Sequence, residues 1–213
     1  MNWITSTLGS SIGKKLMMAV TGLAFCGFLA AHLAGNLTIY GGQDAFNSYA
    51  AGLHALGPLL TVAELGLLTF GLVHVITGLT LFFGNLKARP VRYAVNHSAG
   101  GRSIGSATMP YTGVVLLAFV IFHLINFTFV DKTDTTIFSI VSEAFSNTGY
   151  VMIYILAMVA VAIHVSHGLW SAFQTIGANH PKYMPLIRTG SIAFAVVVGM
   201  GFGFLPIYIF LLT

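Results

Sequence analysis

The run GYVMIYILAMVAVAIHVSHGLWSAFQTI, residues 149–176, carries no Asp, Glu, Lys or Arg. As a helix it would reach about 42 Å, more than the ~30 Å hydrocarbon core of a bilayer. Its apolar residues do not alternate with polar ones, so a half-buried strand does not account for it. Two histidines interrupt it, His164 and His167. Ionisable side chains at such a depth are costly and mark function by default. The run therefore asks what the helix crosses and what its imidazoles hold.

Outward from this run the chain has the same character. Of 213 residues, 56% are apolar and 7% charged, with a mean hydropathy of +0.88; a soluble domain would carry about 25% charged residues. Four more runs of spanning length lie at 16–40, 60–84, 108–130 and 188–212. Only helices or closed barrels satisfy their backbone in lipid, and no run shows barrel alternation. The expected fold is an all-α membrane protein: five transmembrane helices in one bundle, with residues 1–213 forming a single domain. No internal repeat of fixed period is evident. Lys14 and Lys15 ahead of an apolar stretch look like the start of a signal peptide, but the run continues through His32 and is expected to remain as the first span. The single cysteine, Cys26, leaves no internal disulfide and no cysteine-ligated zinc or iron–sulfur cluster. The net charge of +4 resides in loops and does not point to nucleic acid.

Loop charge sets the expected orientation. Lys14, Lys15, Lys87, Arg89, Arg92, Arg102, Lys182 and Arg188 fall on one side of the spans and only Lys132 on the other. By the positive-inside rule the amino terminus is cytoplasmic and the carboxy terminus outside. All five acids, Asp44, Glu64, Asp131, Asp134 and Glu143, lie on or near the outer side. The stretch GGQDAFNSYAAGLHALGP (41–58) reads as an outer loop with a short interfacial helix stopped by Gly57-Pro58. The basic, glycine-rich stretch KARPVRYAVNHSAGGRSIGS (87–106) reads as a cytoplasmic docking surface for a soluble partner.

Five of the eight histidines fall inside spans: His32, His74, His123, His164 and His167. His32 lies about 8 residues before the outer end of its helix and His123 about 7; His74 lies about 14 residues after the outer end of its helix and His164 about 15. The four form two pairs, each at one depth and drawn from two helices, the depths differing by roughly 10 Å. A flat macrocycle between helices takes one axial ligand from each side, and imidazole is a common haem ligand. Zinc would need three or four ligands converging at one point, and proton relays usually place carboxylates beside their histidines. Two bis-histidine b-type haems account for all four residues. Gly78 and Gly168, each four residues after a histidine, and Gly35, three after His32, leave room for a porphyrin face. Phe127, four residues after His123, could pack on the ring instead. A lone intramembrane histidine is more often a hydrogen-bonded packing residue; four matched in depth on four helices favour haem.

With these residues laid out, the chain resembles the di-haem cytochrome b membrane anchor of succinate:quinone oxidoreductases, in its single-chain, five-helix form. The matching segments run in order: SIGKKLMMAVTG (11–22), HLAGN (32–36), AFNSYAAGLHALGP (45–58), GLVHVITGL (71–79), MPYTGVVLLAFVIFHL (109–124) and HVSHGLWSAFQTIG (164–177). The resemblance implies that His32 and His123 hold a distal haem b near the outer surface, and His74 and His164 a proximal one. It also implies a partner flavoprotein subunit with FAD that carries the succinate/fumarate site, and an iron–sulfur subunit on the cytoplasmic face. Menaquinone is the implied quinone and the bacterial cytoplasmic (inner) membrane the implied location. Pairing of whole complexes into dimers stays open. Two other classes remain: a cytochrome b anchor of a hydrogenase or formate dehydrogenase, and a haem-free transporter with a histidine-lined path.

Quinone reduction takes up protons, and Glu64 is the one acid near the start of a membrane helix on the distal side. It is the candidate for quinone protonation, against a plain interfacial glutamate. Lys14, Lys15, Arg102 and Ser103 could meet haem propionates, although positive-inside anchoring explains the cations equally well. Trp170 and Gln174 could donate hydrogen bonds there. His167 is about 60° around the helix from His164, so it reads as a neighbour that could bond a propionate rather than as a ligand. The run GMGFGF (199–204) in the fifth span suggests close helix packing.

Overall fold

A computed structural model describes residues 2–88, 91 and 103–212 of the chain. A short amino-terminal helix, α1 (Trp3–Gly9), precedes the first long one, α2 (Ser11–Asn36), which ends in a 3-10 turn (Leu37–Gly41). A short helix α3 (Gln43–His54) leads into α4 (Pro58–Lys87). Then come α5 (Ile104–Phe127), a second short helix α6 (Ile137–Phe145), α7 (Thr148–Thr175) and α8 (Met184–Leu212). Five of these helices are long and apolar enough to cross a membrane, and no strand occurs among the described residues. The chain is thus an all-α protein of multi-pass membrane character.

Polar caps explain why the helices start before the apolar runs do. The Ser10 hydroxyl accepts from the Gly13 N–H at 3.0 Å and opens α2. Ser103 opens α5 with a capping box: its hydroxyl accepts from the Ser106 N–H at 3.1 Å, and its own N–H donates to the Ser106 hydroxyl at 2.9 Å. Each cap satisfies an amide that would otherwise lack a partner. At α4, Gly57 adopts a φ of +51°, open to glycine, and Pro58 begins the helix.

The long helices alternate in direction. One end of the bundle carries Lys14, Lys15, Lys87, Lys182 and Arg188, and is called here the basic end. The other carries α3 and α6, and is called the lid end. The two lid helices touch, the Phe138 N–H donating to Asn47 Oδ1 at 3.1 Å. The basic loop expected to dock a partner falls mostly outside the described residues, as do Arg89, Arg92, His97 and Arg102.

The helix α7 is the centre of the bundle, packed on α2, α5 and α8. One buried cluster joins Leu33, Met158, Val161, Val165, Ala195 and Val198; a second, toward the lids, joins Ile39, Phe46, Phe145, Tyr154, Leu205 and Ile209. Small residues set the approach of α8. A Cβ added to Gly199 would meet Ala162 Cβ at 3.0 Å and the Met158 carbonyl oxygen at 3.3 Å, and one on Gly201 would meet Leu33 at 2.9 Å. Close packing at the GMGFGF run is therefore real, and it follows the small-residue rule of helix contacts in lipid. In contrast, α4 exposes Leu65, Leu68, Leu72, Ile76, Leu79 and Phe83, an apolar surface of the kind lipid covers.

Candidate functional site

The structure brings together the histidines that the depth count pairs. The ring centres of His32 on α2 and His123 on α5 are 6.0 Å apart. Those of His74 on α4 and His164 on α7 are 6.5 Å apart. A metal–imidazole bond is about 2 Å long and a ring centre lies about 1.1 Å behind its nitrogen, so two imidazoles on opposite sides of one iron have ring centres about 6 Å apart. Both spacings fit a bis-histidine iron. Among the described residues no third His, Cys, Asp or Glu converges on either pair.

The pair toward the basic end is held by two threonines. Thr21 Oγ1 lies 2.9 Å from His74 Nδ1, and Thr112 Oγ1 lies 3.0 Å from His164 Nδ1. Each hydroxyl also lies within hydrogen-bond distance of helix carbonyls, those of Met17 and Met18 at 2.8 and 3.3 Å for Thr21 and those of Thr108 and Met109 at 3.1 and 3.2 Å for Thr112. Gly22 and Gly113 lie against the same two rings: a Cβ added to either would stand 3.6 Å from His74 Cε1 or 3.7 Å from His164 Cε1. Both threonines are buried.

The pair toward the lids is built differently, in an aromatic cage. Phe28 stacks on His32 at 5.1 Å and Phe202 of α8 lies at 5.4 Å from it. Phe127 and Phe119 flank His123 at 5.3 and 6.0 Å. Tyr154 Oη is 3.3 Å from His123 Nδ1. Asn36 Nδ2 donates to the His32 carbonyl at 2.8 Å and stands 3.4 and 3.5 Å from the two ring nitrogens, favouring neither.

The structure also reveals a repeat that was expected to be absent. Met18, Thr21, Gly22, Phe28, His32 and Leu33 recur 91 residues later as Met109, Thr112, Gly113, Phe119, His123 and Leu124. His74, Val75, Gly78, Leu79 and Phe83 recur 90 residues later as His164, Val165, Gly168, Leu169 and Phe173. The chain from α2 to α4 and the chain from α5 to α7 are each long helix, short helix, long helix. One residue fewer between the long helices of the second half changes the offset, which hides the period. Each histidine pair takes one ring from each half.

Other candidate residues fall as follows. Gly78 and Gly168 occupy equivalent places, with Met18 Cε and Met109 Cε at 3.5 and 3.8 Å from where a Cβ would stand. Gly35 instead receives the Tyr49 ring and hydroxyl from α3 in the space a Cβ would take, so it seats a lid helix. His167 is outside the ring pair. A Cβ on Gly105 would meet its Cβ at 2.6 Å, its Nδ1 is 3.4 Å from the Ser103 hydroxyl, and Trp170 lies edge-on at 4.8 Å. The Arg188 guanidinium sits 4.6 Å from the Trp170 ring centre. Lys15 and Gln174 are exposed, Lys14 half-buried, and Arg102 is outside the described residues. Glu64 is exposed on α4, at the position that Tyr154 holds in the second half, 90 residues later.

Thr21, Thr112 and Tyr154 were not legible as partners of histidines in the sequence. The two threonines share an MxxTG unit, at 18–22 and again at 109–113, whose repetition was their signal; Tyr154 had none. Comparison of the chain with family models, with curated proteins and with solved structures gives no match.

Proposed function

We propose that the chain is a di-haem cytochrome b, the membrane anchor and electron conduit of a succinate dehydrogenase or fumarate reductase complex. The observation that supports the two haems is the spacing of the ring pairs, 6.0 and 6.5 Å, each closed by helices from different halves; the choice of complex rests on the resemblance. His32 and His123 hold one b-type haem iron, His74 and His164 the other. When bound, haem supplies one-electron transfer, here between an iron–sulfur subunit and a membrane quinone, menaquinone by the resemblance. The chain's own residues orient the imidazoles and keep water out, with the aromatic cage doing the second task at the lid-end pair. The basic end faces the cytoplasm by the positive-inside rule, and there docks the iron–sulfur subunit, which carries the FAD flavoprotein with its succinate or fumarate site. By the resemblance, the membrane is the bacterial cytoplasmic one.

Purified protein is expected to show b-type bands in a reduced-minus-oxidised spectrum, with two haems per chain by pyridine haemochromogen assay. A haem-free preparation from haem-replete cells overturns the reading.

Glu64 supplies the proton at the quinone. It is exposed near the start of α4, at the lid end of the bundle. Glu64→Gln keeps the shape and removes the acid. Quinone-linked turnover is expected to fall about 10²-fold, within the usual range for loss of a general acid, with haem content unchanged. Turnover equal to the unmodified protein removes Glu64 from the mechanism.

A further inference from the structure

We infer that Thr21 and Thr112 are positioning residues that fix the basic-end histidine pair in a single tautomer, while the lid-end pair has no equivalent device. The inference rests on the cytochrome reading and deepens it.

A threonine hydroxyl has one hydrogen and two lone pairs. Each threonine oxygen has helix carbonyls within reach, those of Met17 and Met18 at 2.8 and 3.3 Å from Thr21 and those of Thr108 and Met109 at 3.1 and 3.2 Å from Thr112. With its hydrogen on a carbonyl, each oxygen accepts from the imidazole nitrogen 2.9 or 3.0 Å away. In that arrangement His74 and His164 carry hydrogen on Nδ1, which leaves the Nε2 lone pair free for a metal. A metal-bound histidine that donates its other N–H is oriented by that bond and made more basic.

The duplication gives the observation twice. Thr21 with Gly22 and Thr112 with Gly113 come from different halves, yet they meet their histidines with the same atoms at nearly the same distances. The lid-end pair also lies at the meeting of the halves but does not repeat this arrangement. Asn36 presents a donor amide that favours neither ring nitrogen of His32, and Tyr154 can donate to or accept from His123. The Phe28/His32 and Phe119/His123 contacts recur there, so the halves share the aromatic packing and differ in the polar partner.

Loss of an acceptor from Nδ1–H makes an axial imidazole a weaker electron donor and favours the reduced iron. The test is a redox titration of the intact complex in Thr21→Val and Thr112→Val, following each haem's α-band. In each variant, the component that disappears in His164→Ala is expected to shift to a more positive midpoint, and to shift further in the double variant. Its loss to apomyoglobin is expected to be about 10-fold faster, the low end of the 10–100-fold range for such outer partners. The other component is expected to stay in place. Thr21→Ser and Thr112→Ser keep the hydroxyl and are expected to restore the original midpoint, which a packing role for the methyl group would not predict. Should one valine variant fail to accumulate, the equivalent in the other half asks the same question. Two haems with unchanged midpoints in the valine variants overturn the inference and leave the cytochrome reading standing. Absence of haem from the unmodified protein overturns both.

Discussion

His164→Ala is expected to reduce bound haem from two per chain to one and to abolish quinone-linked turnover. His164 and His74 stand with ring centres 6.5 Å apart and no third His, Cys, Asp or Glu beside them among the described residues, so on the cytochrome reading truncation would leave His74 as the one histidine ligand there. Changes in the outer partners of a metal ligand already cost about 10–100-fold in affinity, and losing the ligand exceeds that. His167→Ala in the next turn is the control. Its ring lies against Gly105 and Trp170, so both haems are expected to remain. The measurement is haem stoichiometry with the reduced-minus-oxidised spectrum of each variant. Two haems in His164→Ala, or loss of one in His167→Ala, reverses the assignment of this helix. His32→Ala is expected to remove the other spectral component, since its partner His123 belongs to the separate lid-end pair.

Gly199→Leu is expected to destabilise the bundle strongly. Even a Cβ here would sit 3.0 Å from Ala162 Cβ and 3.3 Å from the Met158 carbonyl oxygen, and both belong to the α7 backbone or its first side-chain atom. Neither can rotate away, so α8 must move off α7. Overpacking of this kind costs about 3 kcal/mol. The consequence reaches the lid-end pair, because α8 also carries Phe202, which covers His32 at 5.4 Å. The variant is expected to lower the thermal midpoint of the detergent-solubilised protein and to weaken the lid-end haem before the basic-end one, whose rings rest on α2 and α5. Unchanged thermal stability would show that α8 does not depend on this approach.

Particular residues show what a linear reading reaches. The five spans were legible because lipid demands long apolar runs, though Ser10 and Ser103 start their helices before the apolar runs at 16 and 108 begin. The partnership of His32 with His123, and of His74 with His164, followed from a constant rise per residue, since equal depth on alternating helices needs no knowledge of packing. Gly35 has a neighbour that depth counting did not foresee. Three residues from a histidine it reads as room for a macrocycle, and Tyr49 from α3 also reaches it, which depth counting does not see. The internal repeat escaped because one residue fewer in the second half splits its offset into 91 and 90.

What the sequence determined by itself was the multi-pass membrane class, the five long apolar helices and the matching levels of the histidines along them, all consequences of hydrophobicity and helical rise along one chain. Only the tertiary structure decided which side chains reach across from one helix to the next. The hydroxyls of Thr21 and Thr112 point at imidazoles 53 and 52 residues away, and nothing local distinguishes them from the exposed threonines Thr69 and Thr80, which bond carbonyls four residues back in the same way. A back-bonded threonine becomes an acceptor for histidine only where packing delivers a second helix to it.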